Sequence, residues 1–493
     1  MRALVHDMGG SNVSMWRYLG IFSKRNQLKN WIRHPCARPC CHGSDVSCND
    51  KCDTLRLYFI ADPPHLLKSI RNCLLVQNIV LPADICNEND LPSNTVKMLH
   101  AKQLVRLQED RALKVTPKLS KQTVEPSKFQ KMKVKLAANL LSRDTACGLR
   151  LFSQLKELPQ EVITTAYFFE LVGQWFSVMN SRLAHSALSV GSEKVSELQK
   201  FICLMSNLKF TGRDEWKPIQ AGTILSTQSI LDLFDDLVVN GKLLFLMAGR
   251  FTQDPCENLF SCIRGLGDPT PTPVRFRYNL RNISCSQYMR IASSANCEED
   301  DTVYFLSYLK KRPDLKLELS KSLEPQDEMA CVTYILDTDF DLADRNVFYF
   351  LAGWCLFKES SCIATCHNCK LFFYGNADEC PEDSILVKLK SFGALTLPCK
   401  RLVESVQHAE AIFLSLIDSL LTYENLEKCL IGKFRESFFC DDFPKCHNFL
   451  YSMISRFYRL RLHAYGKLVT SKENAPIQHG SKSAFSKSIK MSV

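Results

Sequence analysis

The chain has 493 residues, of which 46% are hydrophobic and 23% charged, with 23 cysteines and a formal net charge of +10. That balance excludes a disordered chain and leaves length for about two to four domains with sizeable cores. No apolar run reaches the ~18–20 residues of a spanning helix and no secretory pattern opens the chain, so an intracellular protein with reduced thiols and no membrane partner is expected.

In chain order, the apolar run Arg2–His6 ends in Asp7, followed by Met8-Gly9-Gly10-Ser11-Asn12, so a strand is expected to deliver a carboxylate to a loop. An Asp opening a turn before two glycines is the other reading. Trp16–Phe22 reads as a short helix. Residues 34–53 carry Cys36, Cys40, Cys41, Cys48 and Cys52 with His34 and His42, but no paired CxxC, which favours a Cys-rich surface loop over a zinc site. Leu55–Ala61 is the clearest strand of the chain. It runs into Asp62-Pro63-Pro64-His65 and a helix over Leu66–Leu75, where the proline pair fixes the helix start and Asp62 can cap it.

From about 82 to 248 the pattern is helical, with loops at Pro117, Pro126 and Pro218. Phe129–Ser142 predicts a basic amphipathic helix, with Met132, Leu136, Leu140 and Leu141 inward and Lys131, Lys133 and Lys135 on its wet side. No Gly-x-x-x-x-Gly-Lys-Ser/Thr loop occurs, so any nucleotide site lies outside that class. Gly222–Ser229 reads as a loop and Leu231–Val239 as a helix.

Asp254-Pro255 reads as a further helix start, with Glu257 on the same side of its first turn. The two carboxylates suit a divalent metal and a phosphate, or form an ordinary capping pair. Gly265–Pro273 stops this helix, and Phe276–Ile283 resumes one. The acidic run Glu298–Asp301 marks a linker over 284–325. Phe348–Phe357 is an apolar helix, followed by Cys366-x-x-Cys369, half of a zinc site that Cys446 and His447, with Cys440 and His463 nearby, could complete; paired buried thiols are the alternative. In Phe449–Ala464, Arg456, Arg459 and Arg461 alternate with aromatics, fitting either a DNA backbone or a helix whose aromatics are buried and whose arginines are wet. From Ser455 onward eight Lys/Arg face one acid, Glu473, so +7 of the net charge lies in the last 39 residues. Residues 471–493 read as a basic disordered tail.

Four stretches, Val5–Asn12, Asp62–Asn72, Lys131–Ser142 and Arg250–Arg264, stand in the order and wording of P-element-like transposases, a family that often carries an N-terminal THAP zinc domain. The chain resembles that family up to about residue 290. The resemblance implies an α/β fold: an incomplete RNase H-like core (1–81, completed by 249–290) interrupted by a large helical insertion (82–248), then a mostly α-helical C-terminal region (291–470) and the tail (471–493). It implies two-metal DNA cleavage and strand transfer, with Asp7 and Glu257 as Mg2+ ligands and Asp62 and His65 beside them. The family's first catalytic Asp falls on a strand earlier than Met1, so a shortened or domesticated, poorly active relative is expected.

The resemblance also places GTP contacts at Lys118, Lys133, Val134, Ser142, Phe176, Asn180 and Asp254. Ser177 stands where the family has an Asp that accepts both guanine donors, so guanine selectivity is expected to be weak. A nuclear protein that binds DNA, as a homo-oligomer, follows from the same resemblance. The alternatives are a non-catalytic nuclear DNA- or protein-binding remnant and, from another class, a nucleotide hydrolase acting through the insertion.

Overall fold

The computed structural model describes residues 2–35, 55–286 and 339–473, apart from 110, 112, 213–214, 267, 421–424, 440–441 and 445. The Cys36–Cys52 loop, the acidic run Glu298–Asp301, Cys440 and the tail from 474 lie outside the described residues. The chain divides into two compact units, residues 1–111 with 115–328, and 112–114 with 329–493. Both α-helices and small sheets are present, with helix predominating.

In the first unit, β1 (Ala3–His6) leads into α1 (Gly10–Tyr18), the hairpin β2 (Phe22–Lys24) and β3 (Gln27–Lys29), then β4 (Trp31–Arg33) and β5 (Arg56–Ala61). β5 pairs parallel with β1, His6 opposite Ala61, and antiparallel with β4. The helix expected over Trp16–Phe22 therefore lies earlier. Gly20, at φ +72°, takes a left-handed conformation that ends it, and Phe22 opens the hairpin instead. Leu57–Ala61 are all buried, so both faces of β5 are covered; each large side chain sequestered this way contributes roughly 1.5–3 kcal/mol.

The chain continues through α2 (Pro63–Val76), β6 (Ile79–Val80), α3 (Ala83–Glu88), β7 (Thr95–Val96), α4 (Met98–Leu107), α5 (Lys121–Val124), α6 (Val134–Leu140), α7 (Arg143–Gln154) and α8 (Val162–Met179). β8 (Leu188–Ser189), α9 (Lys194–Asn207), β9 (Lys209–Phe210), α10 (Pro218–Phe234), β10 (Phe245–Leu246), α11 (Asp254–Gly265) and α12 (Pro273–Ser286) follow. β6 pairs with β7 and β9, and β8 with β10, all antiparallel.

Two expectations fail here. Phe129–Ser142 is not one amphipathic helix: a 3-10 turn over Gln130–Met132 meets α6 at an extended Lys133. The turn's Lys131 carbonyl accepts a hydrogen bond from buried Arg71 on α2, and Met132 is exposed while Val134, Ala137 and Leu140 point inward. Gly222–Ser229 is not a loop but the middle of α10. Its hydroxyls return to helix carbonyls, Ser226 to Gly222 at 2.8 Å and Thr227 to Thr223 at 2.7 Å, and Ser229 bonds the Phe59 carbonyl of β5 at 2.6 Å. The hydroxyls of Ser226, Thr227 and Ser229 are thus satisfied inside the core. α10 packs on β5.

The second unit is a set of packed helices: α13 (Leu342–Ile363), α14 (His367–Phe373), α15 (Ile385–Lys390), α16 (Lys400–Leu420), α17 (Leu426–Ser437) and α18 (Phe449–Glu473). α18 lies against α13, α16 and α17, burying Met453, Ile454, Phe457 and Tyr458. Among the described residues no helix is long and apolar enough to cross a membrane.

Candidate functional site

Because β1 and β5 run parallel in register, Asp7 and Asp62 leave the sheet at the same end. Asp7 turns back on its own loop: its Oδ1 accepts the Gly9 N–H at 3.0 Å and the Asn12 side-chain amide. The Gly9 bond, aided by Asn12 and by the nearby charges of His65 and His6, holds this carboxyl below its usual range despite partial burial. Its Oδ2 accepts no hydrogen bond from any described residue.

Asp62 is buried and caps α2, with Oδ2 accepting the His65 N–H at 3.0 Å and meeting His65 Nδ1 at 2.6 Å. Its Oδ1 accepts the Gln253 N–H at 2.7 Å, just before α11. One carboxylate thus holds the starts of two helices 191 positions apart in sequence. His65 then reaches Glu257 on α11, Nε2 to Oε1 at 3.8 Å, with both side chains about one-third exposed. Asp7, 250 positions before Glu257, also feels the charge of this imidazole.

Asp254 does not serve as the cap. Gln253 occupies that position without a side-chain cap bond, while Asp254 begins α11, is buried, and forms an ion pair with Arg182. Arg182 was not singled out by sequence; its partner lies 72 residues away and no spacing signals it.

The other residues expected to contact a nucleotide sit on adjoining elements. Lys118 and Lys133 are exposed, and Asn139 of α6 donates to the Lys118 carbonyl at 3.3 Å. Val134, next to Lys133, is buried. Ser142 caps α7, accepting the Thr145 N–H at 3.2 Å and donating to the Asn139 carbonyl at 2.8 Å. A Cβ on Gly173 of α8 would lie 2.9 Å from the Leu141 carbonyl, so that glycine lets α8 approach the Ser142 turn. Phe176, Ser177 and Asn180 follow on the same face of α8. Phe176 is only 7% exposed, Ser177 is exposed, and Asn180 ends the helix. Beyond it, the Ser181 carbonyl accepts the Gly249 N–H at 3.0 Å, bringing the end of α8 to the segment that carries Asp254. Arg71, buried beneath the Lys131–Lys133 turn, ties that turn to the helix bearing His65 and was likewise missed by sequence.

In the second unit Cys366, Cys369, Cys446 and His447 converge, each ligand atom within 4.8 Å of the others. The arginines of α18 are each claimed by a carboxylate on a different helix. Arg456 meets Glu359 of α13 at 2.6 Å, Arg459 meets Glu427 of α17 at 2.8 Å, and Arg461 meets both oxygens of Glu410 of α16 at 2.8 Å. Arg461 is 3% exposed, which removes it from any DNA-facing surface, and the expectation of wet arginines fails there as well.

Residues 64–191 match the family described as TNP-like, GTP-binding insertion domain. The Transposable element P transposase of Drosophila melanogaster is 28% identical over 288 residues, 57% of this chain; the chain spans about a third (34%) of that relative's length. Among solved structures, the Drosophila P element transposase strand transfer complex is similar at a TM-score of 0.47 and 25% identity, over 58% of this chain and 61% of that one. The resemblance read from the four sequence motifs stands.

Proposed function

We propose, from the premise that this chain is P-element-transposase-like, that its first unit is an RNase H-like DNA cleavage and strand-transfer core with a GTP-type nucleotide site in the insertion. The observation that carries this reading is that Asp62, which leaves the sheet at the same end as Asp7, joins the starts of α2 and α11, where His65 reaches Glu257. Asp7 is held ionised and Glu257 is about one-third exposed, and carboxylates of this kind suit hard divalent cations such as Mg2+. In this class of reaction the metal activates the attacking oxygen and stabilises the leaving one. The chain's own residues present the two carboxylates, hold the start of the helix carrying Glu257 through Asp62, and offer the His65 imidazole next to Glu257.

For the insertion, Lys118 and Lys133 supply phosphate charge, Ser142 and Asn180 hydrogen bonds, and Asp254 a carboxylate near the metal-bearing end. Val134 contributes a backbone N–H. Phe176 stacks on a base once its ring is uncovered. Ser177 offers one hydroxyl in place of two carboxylate oxygens, so guanine is weakly distinguished. DNA is the partner, as a homo-oligomer acting in the nucleus.

Fe2+ with ascorbate and peroxide, added to the full chain, tests the metal assignment without requiring activity. Backbone cuts should map next to residues 7 and 257 and disappear in Asp7→Ala and Glu257→Ala; cuts elsewhere, or unchanged cuts, reject it. Transfer of pre-cleaved DNA ends by the wild-type chain but not by Glu257→Gln separates a catalytic protein from a binding remnant. For the insertion, titration with fluorescent GTP and ATP analogues should give similar affinities, weakened together by Lys133→Ala; strong guanine preference would contradict the Ser177 argument.

A further inference from the structure

We propose that Cys366, Cys369, Cys446 and His447 form a closed Cys3His zinc site that fastens the end of α13 to the start of α18. Cys366 Sγ lies 3.6 Å from Cys446 Sγ, Cys369 Sγ 3.3 Å from Cys446 Sγ, and Cys369 Sγ 3.7 Å from His447 Nδ1. A tetrahedron with Zn–S bonds of about 2.3 Å has S···S edges of about 3.8 Å, with the S···N edge slightly shorter, so these three edges lie near the lengths such an ion requires, and all four ligand atoms lie within 4.8 Å of one another. A disulfide accounts for two sulfurs at about 2.05 Å and leaves the third thiol and the imidazole unexplained. S–H hydrogen bonds are too weak to gather three thiols and a ring.

The surroundings fit a metal as well. Cys366 immediately precedes α14, and Cys369 lies within it. The His447 ring stacks on Phe449, centroids 4.8 Å apart and planes 11° apart, which fixes the orientation of the imidazole. Three thiolates and one imidazole are soft donors suited to zinc rather than Mg2+, and four protein ligands leave no open position, so the site is structural.

Its place in the unit gives the role. Cys366 lies three residues past α13 and His447 two before α18. On the same two helices Glu359 accepts from Ser452 at 2.8 Å and pairs with Arg456. The ion closes a loop of 77 residues between Cys369 and Cys446, across which α14 to α17 are strung.

The test uses the full chain purified in reductant with zinc. Metal analysis should show about one equivalent less in Cys446→Ser than in the wild type or in Cys362→Ser, an exposed cysteine outside the cluster. Counting this difference keeps any metal bound by the Cys36–Cys52 stretch out of the result. Cobalt exchanged into the wild type should give tetrahedral visible bands with thiolate charge transfer. A measurement needing no variant uses iodoacetamide: zinc should protect Cys366, Cys369 and Cys446 while Cys362 reacts, and chelator should abolish the protection. Equal metal content in Cys446→Ser and wild type, a Cys369–Cys446 disulfide in the reduced preparation, or protection that chelator does not affect would each overturn the proposal.

Discussion

Arg461 shows how far a single residue can depart from the pattern around it. Its neighbours in α18 made it look like a groove-facing cation, yet it is buried against Glu410 and over the Phe413 ring at 4.3 Å. Burial pushes the Glu410 carboxyl up to about 7 against the pull of Arg461. Such a pair adds little over a well-packed apolar pair, but losing one member strands a charge. Arg461→Leu alone should cost about 3–5 kcal/mol in denaturant unfolding of the second unit, and adding Glu410→Leu should recover most of it. If the double variant is no better than the single, the pair is not what holds that corner. The partner is 51 residues away, so no local pattern could have revealed it.

A second prediction at this scale concerns His100, buried in α4 with Nδ1 2.7 Å from Thr165 Oγ1. Burial first, and Lys97 second, depress its pKa, with Glu161 opposing. The unfolded chain takes up a proton near pH 6.5 that the folded chain refuses, so this contribution to stability is complete above 6.5 and is lost as pH falls towards the folded value. The urea midpoint should therefore fall between pH 7.5 and 5.5, and fall less in His100→Gln. Equal slopes in the two proteins would show that His100 carries none of the effect.

Among the elements, β5, α2 and the start of α11 were legible because their signals are local: a short apolar run, a proline pair after an acid, and an Asp-Pro step. α10 was not, because Ser226, Thr227 and Ser229 looked like loop while their hydroxyls bond α10's own carbonyls and those of β5. The break at Lys133 was invisible because it is imposed by Arg71, which lies 60 residues from the Lys131 carbonyl it holds. Phe176, Ser177 and Asn180 were named through the family resemblance, and they share one face of α8. That face depends on Gly173, where any side chain meets the Leu141–Ser142 backbone. Gly173→Val should destabilise the first unit by about 1–3 kcal/mol and weaken nucleotide binding more than Ser177→Ala does. Thermal unfolding and nucleotide titration of both variants check this; a Gly173→Val chain of unchanged stability would mean that α8 can slide outward freely.

At the scale of the molecule, charge and site chemistry separate. The three α18 arginines are engaged in ion pairs, so the excess positive charge available to a polyanion shifts towards the sequence end, where Lys482, Lys487 and Lys490 face no acid after Glu473. Deleting 474–493 should reduce the salt dependence of duplex DNA binding by about 0.9 in log–log slope per lysine that touches phosphate, whereas Arg459→Ala should leave it unchanged. Fluorescence anisotropy across a salt series distinguishes them; the reverse result would return α18 to the DNA. The sequence showed the CxxC half-site. It left open which distant groups would complete that half-site, because Cys446 and His447 are brought to it by the packing of α18 on α13.

The carboxylate of Asp62 has a mechanical meaning beyond its capping bonds. It grips the chain as it leaves β5 and again, 191 positions on, as it enters the helix carrying Glu257, so two distant segments pass through one rivet. A displacement of α2 has to shear that rivet or turn α11 with it, carrying Glu257 along.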